Sequence, residues 1–405
     1  MEIRPIFSAL RRSPVAAVLI ASQIALTLAI LANVLFIVTE RIEQMSVPSG
    51  IDEPNVFYFS NVNIGNLRDK TASVKEDLDA LRAMPGVVAA VGQFAMPMGR
   101  SGWQTSIALK VGEQEEALSE RTAAVYFADE HMLRALGTRL LEGREFAPGE
   151  IQIFSDGMQP NPPVIMVSTA LAKVLFPDES AIGKLVNMTG DQNQPSQRIV
   201  GVVDHVASPW PNSRNIDRVI YVPFVPAGFG FMVRTDPGER DRVMAKVEDT
   251  LFAVNPNRII PSMRSFDEIR RRAFNDDRAM AFLLSFIGIA LLAVTAFGIV
   301  GQASFWVTQR TKQIGTRRAL GARKVDILRY FQTENAMITL IGVLIGSGLA
   351  LGINVLLVKY LDFDRLPWTW LPVGAIVVLL LGQLAVLGPA MRASKIAPAI
   401  ATRTA

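Results

Sequence analysis

The sequence contains no cysteine and only two histidines. The missing cysteines exclude disulfide bonds, thiol catalysis and Cys-ligated metal sites. His131 and His205 have no companions at the spacing of a metal-binding motif. The Gly183-Lys184 pair lacks the first glycine and the Ser or Thr of a phosphate-binding loop. No nucleic-acid-binding motif is present either, so we expect no catalytic residues, no bound cofactor or metal, and no nucleic-acid partner.

Long apolar runs are abundant instead. Hydrophobic residues make up 50% of the chain and charged residues 19%, and the apolar residues are concentrated in four blocks. About 20 apolar residues suffice to cross a membrane as a helix. The first block is too long for a signal peptide, and no A-x-A-like cleavage site follows it, so a retained helix is expected. The predicted transmembrane helices cover residues 14–39, 280–307, 336–358 and 372–388.

Basic residues flank these helices unevenly. Lys and Arg are frequent in the tail 1–13, in the connection 308–335 and in the tail 389–405. The connection 359–371 has only Lys359 and Arg365, beside two aspartates. The positive-inside rule therefore predicts that both termini and residues 308–335 are cytoplasmic, and that residues 40–277 and 359–371 lie outside the membrane.

Residues 40–277 alternate short β-rich runs with helical patterns, as is typical of an α+β domain. Each end predicts a strand, a helix and a strand. These segments are Val56–Asn61, Ser73–Met84 and Val87–Gly92 at one end, and Gly230–Arg234, Glu239–Phe252 and Arg258–Pro261 at the other. The pattern predicts a first subdomain built from residues 50–95 and 226–265, with a second subdomain, residues 96–225, inserted between them. Residues 266–279 are expected to extend the second membrane helix outward as a stalk.

The expected fold is an α-helical membrane protein with four transmembrane helices and a large α+β domain of two subdomains between the first and second. The centres of the four helices contain no Asp, Glu, Lys, Arg or His, so an ion path through them is not expected. Their uncharged polar residues predict hydrogen bonds between helices. Small residues at a spacing of four predict close packing of the third helix at Gly342, Gly346, Gly348 and Gly352.

The basic run Gln309–Phe331 is too polar to enter the bilayer. A glycine and an alanine, Gly321-Ala322, interrupt its helical pattern, and Val325, Leu328 and Phe331 then share one face. From the residues alone, two interpretations are equally good. The run is either a solvated loop that binds lipid headgroups or a short cytoplasmic helix that docks into a partner protein.

Several motifs resemble one family. The run Arg310-x-x-x-Ile314-Gly315-x-Arg317-Arg318-Ala319-Leu320-Gly321-Ala322 resembles the hallmark of FtsX-like and MacB-type ABC permeases. Residues 127–146, 167–184 and 198–204 are similar to the MacB periplasmic core domain, and residues 389–398 to the family's C-terminal tail. The resemblance covers nearly the whole chain, with its motifs in the family's order.

The resemblance implies a permease subunit in the bacterial inner membrane that works without a transmembrane channel. A cytoplasmic ABC ATPase dimer, a separate chain that uses ATP and Mg²⁺, would act through a coupling helix at about Thr316–Arg323. The residues expected to carry this coupling are Ile314, Gly315, Thr316, Arg317, Arg318, Ala319, Leu320, Gly321, Ala322 and Arg323. A second permease, identical or related, completes the membrane part.

The resemblance leaves three functions open. The first is MacB-like efflux from the periplasm or outer leaflet with a periplasmic adaptor and an outer-membrane channel, which the inserted subdomain favours. The second is extraction of lipids or lipoproteins from the inner membrane. The third is FtsX-like signalling to a cell-wall hydrolase, which the size of the large domain disfavours. Membrane lipid is an expected contact in each case.

Overall fold

The computed structural model describes residues 14–64, 70–109, 122–154, 161–188, 195–361 and 363–397. Its contacts divide the chain into two units. We call Ser46–Asp276 the large domain, and the segments before and after it the membrane unit.

The described residues form ten α-helices, two short 3₁₀ turns and fifteen strands. The helices are α1 (Pro14–Ser46), α2 (Lys70–Arg82), α3 (Met132–Leu136), α4 (Thr169–Leu175), α5 (Arg240–Val254), α6 (Phe266–Ala273), α7 (Asn275–Gln309), α8 (Thr311–Ala319), α9 (Lys324–Leu361) and α10 (Trp370–Ser394), and the 3₁₀ turns are Glu53–Asn55 and Pro148–Glu150. The strands are β1 (Val56–Ser60), β2 (Val62–Asn63), β3 (Val87–Gln93), β4 (Trp103–Ser106), β5 (Thr122–Phe127), β6 (Leu140–Gly143), β7 (Gln152–Phe154), β8 (Val164–Ser168), β9 (Leu185–Val186), β10 (Gln197–Val203), β11 (Val219–Val222), β12 (Phe224–Pro226), β13 (Gly230–Thr235), β14 (Arg258–Ile259) and β15 (Met263–Ser265).

Four helices, α1, α7, α9 and α10, are long and apolar enough to cross a membrane, which confirms the four predicted spans. Helix α1 is central, because 56% of its most apolar window is buried, against 17–28% for the other three. Its polar side chains bond to its neighbours as predicted. The Thr27 and Thr295 hydroxyls lie 2.7 Å apart, and the Asn33 amide donates to the Ala350 carbonyl at 3.1 Å. Such bonds remove polar groups from lipid and fix which helix faces meet.

The helices extend beyond the predicted spans. Helix α1 continues to Ser46, and α10 runs through Pro389 to Ser394. Much of the predicted connection 308–335 is helical, because α9 starts at Lys324. The predicted stalk, 266–279, is not one helix with the second span. The buried Phe274 leaves the helical conformation (φ −106°, ψ 17°) and separates α6 from α7.

The first subdomain is a four-stranded antiparallel sheet in the order β15-β1-β13-β3. Helices α2 and α5 cover it through a core that includes Phe57, Leu78, Val233 and Val247. The β-α-β prediction is confirmed at both ends of the domain, by β1, α2 and β3 and by β13, α5 and β14. Among the described strands β14 pairs with β2, and β15, which was not predicted, pairs with β1.

A buried ion pair joins β14 to α2. The Arg258 guanidinium donates to both carboxylate oxygens of Asp77 on α2, at 2.7 and 2.8 Å, and both side chains are 0% exposed. A buried charge needs a partner and good hydrogen bonds. The pair therefore fixes β14 against α2.

The second subdomain contains a mixed sheet in the order β4-β5-β11-β8-β10-β6, with β9 paired to β10. Helix α4 packs on it through Leu171 and Leu175. The two subdomains are joined by an ion pair between Arg82 and Asp129, 2.6 Å apart. Burial raises the pKa of Asp129, while the charge of Arg82 opposes the rise. The predicted division into two subdomains matches these two separate cores.

The chain enters and leaves the large domain at adjacent places. Strand β1, just after the entry, pairs with β15, just before the exit. In α6 the Arg270 guanidinium forms an ion pair with Glu53 and donates to the Val47 carbonyl at 2.7 Å. The entering and leaving segments are thus fixed to one another.

Removing the buried carboxylate should destabilise the large domain strongly. We predict that Asp77→Ala lowers the free energy of unfolding by about 3–5 kcal/mol, because Arg258 is left charged and unpaired. Urea unfolding of the detergent-solubilised full chain measures this loss, with limited proteolysis as the readout of the unfolded fraction. Exposed Glu76 on the same helix provides the control, and Glu76→Ala should change stability by less than about 0.5 kcal/mol. Equal effects of the two changes would contradict the assigned role of the pair.

Candidate functional site

The basic run forms a helical hairpin. Helix α8 is followed by a turn, Leu320–Arg323, and by the first two turns of α9. We call residues 311–331 the basic hairpin. The segment expected as the coupling helix, Thr316–Arg323, covers the last turn of α8 and the turn that follows it.

The turn is a Schellman motif, a common helix ending in which a glycine takes a left-handed conformation. The Ala322 amide donates to the Arg317 carbonyl at 3.0 Å, and the Gly321 amide to the Arg318 carbonyl at 3.2 Å. Gly321 has φ of +99°, and an added Cβ would meet nothing within 4 Å. Glycine is needed here for its backbone freedom alone. The Gly-Ala of the sequence motif is thus explained as the stop signal of α8.

An apolar core fixes the hairpin to the membrane unit. Ile314 from α8 packs with Ile327 and Phe331 from α9 and with Ala390 and Ala393 from α10. All five residues are at most 5% exposed. The buried face of α8 therefore joins the ends of two membrane helices, and the hairpin cannot swing freely.

An ion pair closes the base of the hairpin. The Arg310 guanidinium lies 2.9 and 3.0 Å from the two carboxylate oxygens of Glu334, whose side chain is 1% exposed. The same guanidinium lies over the Trp306 ring, 5.6 Å from its centroid. A partly buried, charge-assisted contact of this kind is stronger than a surface ion pair. It connects the residue after α7 to the start of the third span.

The remaining basic residues have distinct positions. Arg317 lies over the Tyr330 ring at 4.8 Å, and Arg318 donates to the Ala322 carbonyl at 2.9 Å. The backbone amide of Arg323 donates to Asp326 at 2.9 Å, which caps α9. These contacts use the guanidinium groups of Arg317 and Arg318, but only the backbone of Arg323.

The structure separates the ten expected coupling residues into three groups by their exposure. Ile314 and Gly315 are buried, Arg318 and Ala322 are partly exposed, and the other six are exposed. Leu320 is 84% exposed at the tip of the hairpin. A leucine in water at a fixed turn contributes nothing to the core. The tip is therefore a basic surface with one exposed apolar side chain. Nothing within the described chain explains why a leucine is exposed there.

The four glycines of the third span are not equivalent. An added Cβ at Gly342 would lie 2.7 Å from the Ile24 side chain, and one at Gly346 would lie 2.7 Å from the Ala25 carbonyl. At Gly348 and Gly352 it would meet nothing within 4 Å. Close packing on α1 thus explains the first pair, and nothing in the structure explains the second.

Sequence reasoning missed Glu334 as the partner of Arg310, although an isolated carboxylate just before an apolar block was a usable signal. The described residues contain no group of three or more His, Cys, Asp or Glu side chains that could hold a metal ion.

Two family profiles together match most of the chain. The profile described as MacB-like periplasmic core domain matches residues 20–250, which is more than half of the chain, and the profile FtsX-like permease C-terminal matches residues 285–398. This chain belongs to the MacB-type, FtsX-like family of ABC transporter permeases. The family resemblance expected from the motifs is thereby confirmed, as is a multi-pass bacterial membrane protein.

Two relatives differ in how much of their length this permease spans. The macrolide export ATP-binding/permease protein MacB of Bdellovibrio bacteriovorus is 29% identical over 261 residues, which cover 59% of this chain and 38% of that protein. The uncharacterized ABC transporter permease YknZ of Bacillus subtilis is 26% identical over 349 residues, covering 84% and 81%. The solved periplasmic region of MacB from Actinobacillus actinomycetemcomitans covers 57% of this chain and 97% of that region, with 15% identity and a TM-score of 0.34.

The conformation of Gly321 gives a test of the turn. We predict that Gly321→Ala destabilises the turn by about 1 kcal/mol, since an L-residue is strained in this conformation. Hydrogen exchange at the Ala322 amide should then be roughly five times faster. Gly321→Asn is the matched control, because asparagine adopts this conformation more easily and should be affected less. An Ala variant that exchanges at the original rate would show that the turn does not need glycine.

Proposed function

We propose that this permease transmits the movement of a cytoplasmic ABC ATPase dimer to the large domain, which lies in the periplasm. The observation that carries the proposal is the exposed tip of the basic hairpin. Leu320 and the flanking cations form a rigid surface, and the core beneath that surface is continuous with α9 and α10. A force applied at the tip reaches the membrane helices because the Arg310–Glu334 pair and the apolar core prevent the hairpin from bending.

The proposed output is export of a substrate from the periplasm or the outer leaflet. Support comes from the names of relatives, which describe macrolide export, and from membrane spans whose centres contain no charged path. A second permease, as a homodimer or heterodimer, completes the membrane part. A periplasmic adaptor and an outer-membrane channel are the further proposed partners. ATP and Mg²⁺ are bound by the ATPase, and both termini lie in the cytoplasm.

Coupling can be tested at the tip residue. We predict that Leu320→Ala weakens binding of the ATPase about 10-fold or more, since burying a leucine side chain contributes about 1.5–3 kcal/mol. The permease-dependent part of the ATP hydrolysis rate should fall in parallel. Co-purification and hydrolysis assays on the reconstituted complex measure both effects.

The control is Leu185→Ala, which removes an exposed leucine from the large domain (53% exposed) and should leave both quantities unchanged. Both variants should unfold at the temperature of the original chain. Normal ATPase binding and normal stimulation by Leu320→Ala would remove the coupling role from the hairpin.

The proposed orientation can be tested with introduced cysteines, because the chain has none of its own. Lys312→Cys in the hairpin and Lys173→Cys in the large domain are exposed positions with the same substitution. In spheroplasts with an intact inner membrane, a membrane-impermeant maleimide should label the cysteine at position 173 and not the one at position 312. Permeabilised spheroplasts should show labelling at both positions. Labelling at 312 alone in intact spheroplasts would reverse the topology and end the proposal.

A further inference from the structure

The large domain contains a cavity of about 280 Å³ that the coupling mechanism does not use. Strands β1 and β15, helix α6 and the loop after β3 form its walls. Part of the lining is apolar, with Phe94, Met96, Met98 and Ile269. The charged part consists of three arginines, and none of the described lining residues is acidic.

The three arginines differ in whether a carboxylate lies within ion-pair distance. Arg100 lies 2.8 Å from Asp276. Arg264 and Arg272 have no carboxylate within ion-pair distance among the residues that the structure describes. Arg264 is half-buried and Arg272 is exposed. Two unneutralised guanidinium groups at one cavity produce a local positive potential, and their planar donor groups match carboxylates and phosphates.

The loop that forms one wall is held in a strained conformation. Met98 and Arg100 have φ of +58° and +63°, and they are the only residues other than glycine with positive φ in the described chain. Bulky residues rarely adopt this conformation, which costs about 1–3 kcal/mol and is concentrated at functional sites. The Met98 amide donates to the Ser208 carbonyl at 3.0 Å, and the Arg100 amide to the Pro209 carbonyl at 2.8 Å. These bonds fix the wall, so the cavity is preformed.

A second cavity of the large domain provides a contrast. It has about 390 Å³ and is lined by charges of both signs, including Asp79, Asp129 and Glu130 beside Lys75 and Arg82. Arg82 and Asp129 neutralise one another at 2.6 Å. The first cavity, which we call the arginine cavity, therefore differs from the second because its charged lining has only one sign. Its size does not distinguish it.

We propose that the arginine cavity binds an anionic amphiphile, a molecule with a phosphate or carboxylate head and an aliphatic chain. The guanidinium groups of Arg264 and Arg272 bind the head, and Phe94 and Ile269 contact the first part of the chain. A volume equal to about nine waters at about 30 Å³ each accommodates a head group and a few methylenes. This binding goes beyond the coupling role and requires no ATPase.

Calorimetric titration of the full chain in neutral dodecyl maltoside tests the site. The probes are decyl phosphate, inorganic phosphate and decanol, so that head and chain are tested separately. Decyl phosphate should bind saturably with one site per chain. Arg272→Gln should weaken this binding about 10-fold, since a charge-assisted hydrogen bond is lost. Because Arg272 is exposed and has no carboxylate partner among the described residues, this variant should fold normally.

The matched control is Arg271→Gln on the same helix, which removes the same charge from an exposed residue outside the cavity lining. It should leave the affinity for decyl phosphate unchanged. Arg264→Gln, checked for an unchanged unfolding temperature, should weaken binding as Arg272→Gln does. If Arg271→Gln weakened the binding of decyl phosphate equally, the effect of Arg272→Gln would come from the net charge of the chain. That result would overturn the proposal.

The remaining outcomes separate the sources of the anion. Inorganic phosphate that binds as tightly as decyl phosphate would show a free-anion site and overturn the amphiphile. Decanol that binds as tightly would remove the role of the arginines. No saturable binding of decyl phosphate would also overturn the proposal. None of these results depends on transport, so they leave the coupling role to its own test.

Discussion

The joining of the two ends of the large domain is the constraint on which the rest of the molecule depends. Pairing of β1 with β15, together with the contacts of Arg270 to Glu53 and Val47, holds the entering and leaving segments side by side. A sheet whose strands come from both ends cannot separate them without losing several hydrogen bonds at once. The first subdomain therefore responds as one body to either chain end. The second subdomain is inserted into that body and is joined to it by the Arg82–Asp129 ion pair.

Properties encoded locally were predictable. Four apolar blocks and a change in periodicity from 2 to 3.6 residues suffice for the spans and for most elements of the first subdomain. The ends of the helices were harder to predict from the sequence, as α9 shows. Its first 12 residues are amphipathic rather than apolar, so hydropathy alone does not reveal where the helix begins. The ion pair that joins β14 to α2 links Asp77 and Arg258, which are 181 residues apart. No local pattern carries that information.

The candidate site shows the same division. The motif predicted a helix that ends at a glycine, because a glycine after a helix and a run of cations are visible in any sequence. It did not reveal that Glu334 neutralises Arg310, since that pairing requires α7 and α9 to be adjacent. Nor did it distinguish Gly346, which touches the Ala25 backbone, from Gly348, which faces away from the described chain. Spacing gives the face of a helix, and only packing gives its neighbour.

The Schellman turn separates the residues that set the shape of the hairpin from the residue at its tip. The path of the backbone is set by one glycine and by buried Ile314, Ile327 and Phe331, whereas the Leu320 side chain at the tip holds nothing in place. Under the proposed coupling role, a substitution at the tip would therefore change binding of the ATPase without unfolding the hairpin.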